Sequence, residues 1–371
     1  SRPTTTSVQV MAGPHDTYLM WHALKEKRVN PTTVQWETIS ERDEVSQHMT
    51  EWCLRHFEQS MDTPLATKEW SEKLDPRCGR NVLEEIVEGN FEPPEGSPAE
   101  IIEFIKAAKR INGNNNNLDQ LTLEHFRNFC QKQDEKKASS PSNMHYGHLK
   151  ALVWKDELLR MKYRIIRLAY EKDVILTRWE KTWEALLPKD ATTQYIHRFR
   201  NITLIEGDLQ YLMKAMWSQS LMREITQHLN KQQNALKGKV VKSSILSHRM
   251  DMDIMFMNAE SSIIIENDAV NCYDRILLGI AALAMKHVGV PDKMIRFFLA
   301  FQTRVRHHVM LGGKPSDQYY THSELTPIMG SGQGTGWSPP IWFLVADMIL
   351  TALDENQPGL ILRAPAGDCK D

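Results

Sequence analysis

The feature that most narrows the folds open to this chain is a change of texture at Ser261. Before it, apolar residues recur largely at helical spacing. From Ser261 the run Ser-Ser-Ile-Ile-Ile-Glu-Asn-Asp is short, β-branched and bounded by polar residues, which predicts a buried strand that delivers Asp268 at its C-terminal end. Leu277 to His287 then reads as a helix, Gly289-Val290-Pro291 as a turn, and Asp292 to Phe301 as a second helix opening beside the proline. Arg304 to Leu311 and Gln318 to Glu324 flank Gly312-Gly313-Lys314 as the arms of a hairpin. A glycine-rich run, Gly330 to Gly336, leads into an apolar helix from Pro340 to Leu353. Strand, two helices, hairpin, glycine loop, helix is an uncommon order, and it predicts an α+β unit.

Upstream the pattern is different. Residues 1 to about 130 read as helical and polar, with periodic apolar positions in Val45 to Phe57 and Ala99 to Ile111, and with Pro93, Pro94 and Pro98 between the two groups. The stretch Gln131 to Ser142 is polar and structurally weak, which marks it as a linker. Leu149 to Tyr170, Thr203 to Met222 and Ser247 to Ala259 carry helical spacing. Ile175 to Leu187 reads as a short helix whose Trp179 and Trp183, four apart, share a face; packing into a core is favoured for that pair over base stacking. The expected division is a helical N-terminal region (1–137), a middle region (138–250) and a C-terminal region (251–371).

Length and composition exclude several classes. A chain of 371 residues with 41% hydrophobic content can build buried cores in two or three domains, so global disorder is excluded. No apolar run reaches the roughly eighteen residues of a membrane span, and the N-terminus lacks the layout of a signal peptide. The expectation is an intracellular protein with no membrane partner, without a choice between nucleus and cytoplasm. Five scattered cysteines with no CxxC pair fit a reducing compartment and no zinc site, and neither His145 and His148 nor His307 and His308 have an acidic partner that completes one. The opening Ser1 and the polar tail from Pro358 to Asp371 lead us to expect a piece of a longer protein. Net charge is only −2, yet residues 150–249 hold 19 basic and 10 acidic residues, whereas 1–149 hold 17 and 23 and 250–371 hold 9 and 14. A basic middle between acidic flanks is compatible with solvated helix faces or with a nucleic-acid grip.

Two elements carry chemistry. Two-metal phosphoryl transfer needs divalent cations held by carboxylate oxygens, and a strand that ends in Asp268 fixes one such ligand rigidly. The chain turns through Ala269-Val270-Asn271-Cys272 so that Tyr273 can form a floor beneath a sugar. A lone Asp at a strand end is more often a turn former, and the spacing to Tyr273 alone does not overturn that. The second element is Gly330-Ser-Gly-Gln333-Gly334-Thr-Gly336-Trp-Ser-Pro339. Its glycines allow close backbone approach and positive φ, and Gln333 can make paired hydrogen bonds. It lacks the lysine ending of a P-loop and the spacing of a dinucleotide turn, and a single glycine-rich loop is more often a structural turn.

Taken together the residues resemble a known family. Asp268-Ala-Val-Asn-Cys-Tyr273-Asp274-Arg275 resembles the first palm motif of reverse transcriptases, and Ser331 to Pro339 resembles their second, a Gln-Gly followed by Ser-Pro. Ser140-Pro-Ser142, Arg198-Phe-Arg200-Asn-Ile202 and Glu206-Gly-Asp208 look like the fingers of non-LTR, LINE-type retroelement polymerases. The resemblance spans about residues 138 to 355 and implies right-hand polymerase fingers and a partial palm behind a mostly helical N-terminal region. It implies RNA-directed DNA polymerase chemistry with Mg2+ or Mn2+, an RNA template, a DNA primer and deoxynucleoside triphosphates. Residue by residue, Asp268 is the implied metal ligand and catalytic carboxylate, assisted by the Ala269 carbonyl. Tyr273 is the implied gate against a ribose 2′ hydroxyl, Gln333 and Gly334 support the nucleotide and template base, and Arg198 or Arg200 meets the triphosphate. Asp274 is expected to orient backbone rather than bind metal.

The chain also departs from that family. No Asp-Asp dipeptide occurs in it, so the family's third motif is missing and this piece is expected to be inactive alone, with nucleotidyl transfer belonging to an intact parent. Gln233 to Ser244 departs from the usual aromatic-Gly pattern. The competing readings are a decayed or domesticated relative that binds nucleic acid or protein without catalysis, and an unrelated helical scaffold.

Overall fold

The computed structural model describes residues 23–30, 33–58, 63–75, 80–107, 121–137, 140–189, 198–226, 229, 238, 240–257, 269, 271–323 and 326–356. The fold is mixed α+β. It opens with an antiparallel pair, β1 (Ala23–Asn30) and β2 (Thr33–Ile39), in register from Ala23 opposite Ile39. The N-terminal region, expected to be mostly helical, holds this strand pair ahead of its helices: Asn30-Pro31 is a turn signal, and the alternation of Val34 and Trp36 has a strand's period of two. Helices α1 (Arg42–Phe57), α2 (Lys68–Leu74), α3 (Arg80–Glu88) and α4 (Ala99–Ala107) follow. Thr67 caps α2 by accepting from the Trp70 amide.

The middle of the chain contains α5 (Leu123–Gln131), α6 (Tyr146–Ala151) and α7 (Asp156–Glu171). The segment expected to be a linker is pinned instead. Ser140 and Gln133 are buried, and Glu206 accepts from both the Ser142 amide (2.7 Å) and its hydroxyl (2.9 Å). At Thr177–Glu180 a short 3-10 turn carries the fully buried Trp179, and the chain then extends as β3 (Lys181–Pro188). This corrects the helix expected over Ile175 to Leu187: pairing on both sides of β3 overrides a four-residue spacing of tryptophans. Trp179 does pack in the core, whereas Trp183 points to the half-exposed face of the sheet.

β4 (Phe199–Leu204) pairs antiparallel with β3, and it leads into α8 (Gly207–Met213), a π-helical stretch (Lys214–Leu221) and α9 (Met222–Ile225). Helix α10 (Val241–Met257) comes next. The expected strand Ser261 to Asp268 lies outside the described residues. α11 (Leu278–His287) and α12 (Asp292–Gln302) match the helices expected there. β5 (Arg306–Leu311) then turns at Gly312 and Gly313 into β6 (Lys314–Pro315), so the turn falls where expected but the second arm is Lys314–Pro315; the segment expected to form it, Gln318 to Glu324, contributes an isolated bridge from Tyr320 to His307. The sheet order is β4-β3-β5-β6, with β3 and β5 parallel. α13 (Ser338–Asn356) closes the described chain.

Two cores result. One buries the apolar faces of α11, α12 and α13 with the π stretch and α7, around Trp179, Trp217, Trp337 and Phe297. The other lies between α1 and one face of the sheet, where Val45, Met49, Cys53 and Phe57 meet Leu186, Phe199, Val309, Leu311 and Tyr320. Strand alternation puts Thr182, Glu184, Asn201, Thr203 and His307 on that same buried face. No described helix is long and apolar enough to cross a membrane.

Candidate functional site

The turn that carries Tyr273 is built by Asn271 in the left-handed region (φ 50°), whose carbonyl accepts from the Asp274 amide at 2.8 Å. Asn tolerates that conformation better than most residues, and the turn continues as a single 3-10 turn, Cys272–Asp274. Tyr273 is half-buried, and burial, with the neighbouring Cys272, pushes its hydroxyl pKa up. Asp274 is 5% exposed; its Oδ2 lies 3.2 Å from His56 Nε2, while Oδ1 has no hydrogen-bond partner.

The glycine loop is bonded directly to this turn. The Gly330 amide donates to the Ile276 carbonyl at 2.8 Å, and the Ser331 amide donates to the Tyr273 carbonyl at 2.9 Å. Gly330 has φ +102°, and a Cβ there would stand 3.2 Å from Asp274 Cα and 3.3 Å from the Tyr273 oxygen. Only glycine permits both the backbone angle and the approach. Farther along, the Thr203 amide donates to the Gln333 carbonyl at 2.7 Å, so the loop occupies the free edge of β4. Gly334 lies against Ile202, where an added Cβ would be 3.2 Å from Ile202 Cγ2 and 3.0 Å from the Thr203 oxygen.

Helices hold the loop from behind. Gln210 on α8 grips it twice: its Nε2 donates to the Gly334 carbonyl (3.0 Å) and its Oε1 accepts from the Gly336 amide (3.0 Å). Gln302 at the end of α12 donates to the Gly330 carbonyl at 3.1 Å, and the Ser218 hydroxyl donates to that of Gly336. The Ser331 carbonyl accepts from Trp337 Nε1 (2.9 Å) and the Ser338 hydroxyl (2.8 Å). Bonds to main-chain groups on both sides, the Gln333 carbonyl among them, fix the loop's path, so the position of Gln333 is set through the backbone.

The expected site residues therefore fall as follows. Tyr273, Gln333 and Gly334 lie on two segments joined by main-chain hydrogen bonds. Arg200 is exposed on β4 and shares the face of Ile202, the face that Gly334 covers. Arg198, also exposed, precedes that strand. Ala269 is exposed, and Asp268 lies outside the described residues. Among the described residues no group of three or more His, Cys, Asp or Glu side chains is placed to hold a metal ion. His145 and His148 form a helix cap on α6, and His307 Nδ1 lies 2.7 Å from Glu184 Oε1.

Two buried polar networks back the site. Glu184, fully buried, accepts from Thr182 (3.0 Å) and Thr203 (3.0 Å) and meets His307, so the carboxylate stays hydrogen-bonded behind the strand to which the loop is bonded. The second joins α7, the Thr177–Glu180 turn and α8. Asp208 accepts two bonds from Arg178 and one from Trp179 Nε1 (2.9 Å), and it lies 2.9 Å from Lys162 Nζ. Burial opposes ionisation of Asp208, yet the Arg178 hydrogen bonds and the charges of Lys162 and Arg178 hold its pKa below the ordinary carboxylate value. Gly207 is close-packed: a Cβ there would stand 2.7 Å from Leu149.

Sequence reasoning missed His56, Gln210, Thr203 and Gln302, all of which touch the turn or the loop. Gln210 lies two residues beyond the Glu-Gly-Asp signal and so was within reach; nothing near His56 marks it. Compared with protein-family models and with curated proteins, the chain matches none.

Proposed function

We propose that this chain is the fingers and partial palm of a reverse-transcriptase-like polymerase, serving two-metal transfer of deoxynucleotides to a DNA primer on an RNA template in an intact parent. The observation that carries the reading is the pair of main-chain bonds from Gly330 and Ser331 to Ile276 and Tyr273, because they put the two motif-like segments side by side. A nucleotide site of this class needs an aromatic floor, a rigid loop beside it and positive charge toward the triphosphate. Tyr273, the loop at Gln333 and Gly334, and Arg200 with Arg198 supply those three in sequence along one belt. Tyr273 would exclude a 2′ hydroxyl by bulk, and Gln333 would meet the base pair through its amide.

Magnesium or manganese enters the proposal only through Asp268 and the Ala269 carbonyl. The test is a fluorescence titration of the chain with deoxynucleoside and ribonucleoside triphosphates in Mg2+, and with an RNA–DNA template–primer. Preference for the deoxynucleotide, lost in Tyr273→Ala and weakened in Asp268→Asn, is the expected result. Absence of binding to both nucleotide and template–primer overturns the proposal, and template–primer binding without nucleotide binding favours the non-catalytic relative.

A further inference from the structure

We infer that His56, on the last turn of α1, is a positioning residue for the Tyr273 turn, and that the N-terminal helix is thereby part of the nucleotide site. The inference rests on the function proposed above and assigns a role to a helix whose sequence carries no motif. His56 has a fixed orientation: its ring stacks on Trp52 (centroids 4.8 Å apart, planes at 16°) and stands edge-on to Phe57 at 5.0 Å. Held that way, Nε2 reaches Asp274 Oδ2 at 3.2 Å, with the two side chains only 12% and 7% exposed. Because Asp274 Oδ1 has no partner, His56 is the one side chain among the described residues that orients this carboxylate.

The same turn of α1 also holds the other half of the site. The Phe57 carbonyl accepts from the Met329 amide at 2.6 Å, and Glu58 bridges Ile328. Phe57 stacks on Tyr320 at 5.8 Å, which ties that turn to the buried face of the sheet. His56 and Phe57 thus grip the Tyr273 turn and the entry to the glycine loop at once, one residue apart. Asp274 is adjacent to Tyr273, so a change in its orientation is transmitted to the ring that would face the sugar, and to the carbonyl that accepts from Ser331.

The test compares His56→Phe, which keeps a ring and removes the donor, with His56→Gln, whose amide nitrogen can take the place of Nε2. Two readouts are needed. Hydrogen exchange reads the Gly330 and Ser331 amides without reference to function; the ratio of deoxynucleotide to ribonucleotide affinity in Mg2+ reads the position of Tyr273. His56→Phe should speed exchange at those two amides and lower the affinity ratio, each by about fivefold, the worth of one hydrogen bond. His56→Gln should restore both. Unchanged exchange and an unchanged ratio in His56→Phe overturn the inference, as does faster exchange spread evenly over the chain, which marks a packing role only. A parent chain that binds neither nucleotide overturns the polymerase reading and the nucleotide half of this inference together, and the exchange readout alone then decides the brace.

Discussion

Replacing Gly330 by alanine tests whether the glycine loop is locked to the Tyr273 turn. Gly330 has φ +102°, where a side chain strains the backbone by about 1–2 kcal/mol. The new Cβ would also sit 3.2 Å from both Asp274 Cα and the Asp274 oxygen, backbone atoms that cannot rotate away. Overpacking of this kind costs a further 1–3 kcal/mol, roughly. Gly313→Ala is the internal control, because Gly313 shares a positive φ of +75° but has nothing within 4 Å of its added Cβ. Chemical denaturation followed by tryptophan fluorescence should therefore show Gly330→Ala less stable than Gly313→Ala by about 1–3 kcal/mol, the overpacking component alone. Equal stabilities for the two variants would refute the close approach of loop and turn on which the candidate site is built.

Two further perturbations address the supports. Gln210→Met keeps the length of the side chain but removes both loop contacts, and it should cost about 1–3 kcal/mol and weaken deoxynucleotide affinity in the titration above; affinity equal to the parent's would detach Gln210 from the site. Asp208→Asn takes the carboxylate from Lys162 and leaves Arg178 only Glu206, at 3.6 Å, and should destabilise by about 3 kcal/mol near neutrality. The folded pKa of Asp208 is depressed below 3.8, so its contribution is complete above that value and is lost as pH falls through the folded pKa. The gap between parent and variant should hold above the ordinary carboxylate value and close only as pH falls toward the depressed folded pKa, and a constant gap down to the acid limit would contradict the assignment.

The parts of the fold legible in the sequence are those whose signal is local. Proline-opened α12, the double-glycine turn between β5 and β6, and apolar α13 were readable because punctuation and periodicity agree there. β3 was not, because Trp179 and Trp183 mimic a helical pair and what decides the matter is pairing on both sides, with β4 and with β5, the latter more than a hundred residues later. The polar stretch Gln131 to Ser142 read as a linker because its anchor, Glu206, lies 64 positions beyond Ser142. Within the site, glycine spacing announced the loop, but the agents that hold it, Gln210, Gln302 and Thr203, are ordinary residues made functional only by proximity. His56 belongs to that class in its purest form: 218 positions separate it from Asp274.

The parallel neighbours β3 and β5 also have a consequence for how the protein is made. The apolar stripe of Val45, Met49, Cys53 and Phe57 meets Leu186 and Phe199 first and Val309, Leu311, Tyr320 and Ile328 last, so it leaves the ribosome more than 250 residues before its cover is complete. At the usual 5–20 residues per second of translation, that is roughly 13 to 50 seconds of exposure. During that interval the nascent helix is a sticky surface with only part of its lid, and the long sequence separation across the second core favours slow closure.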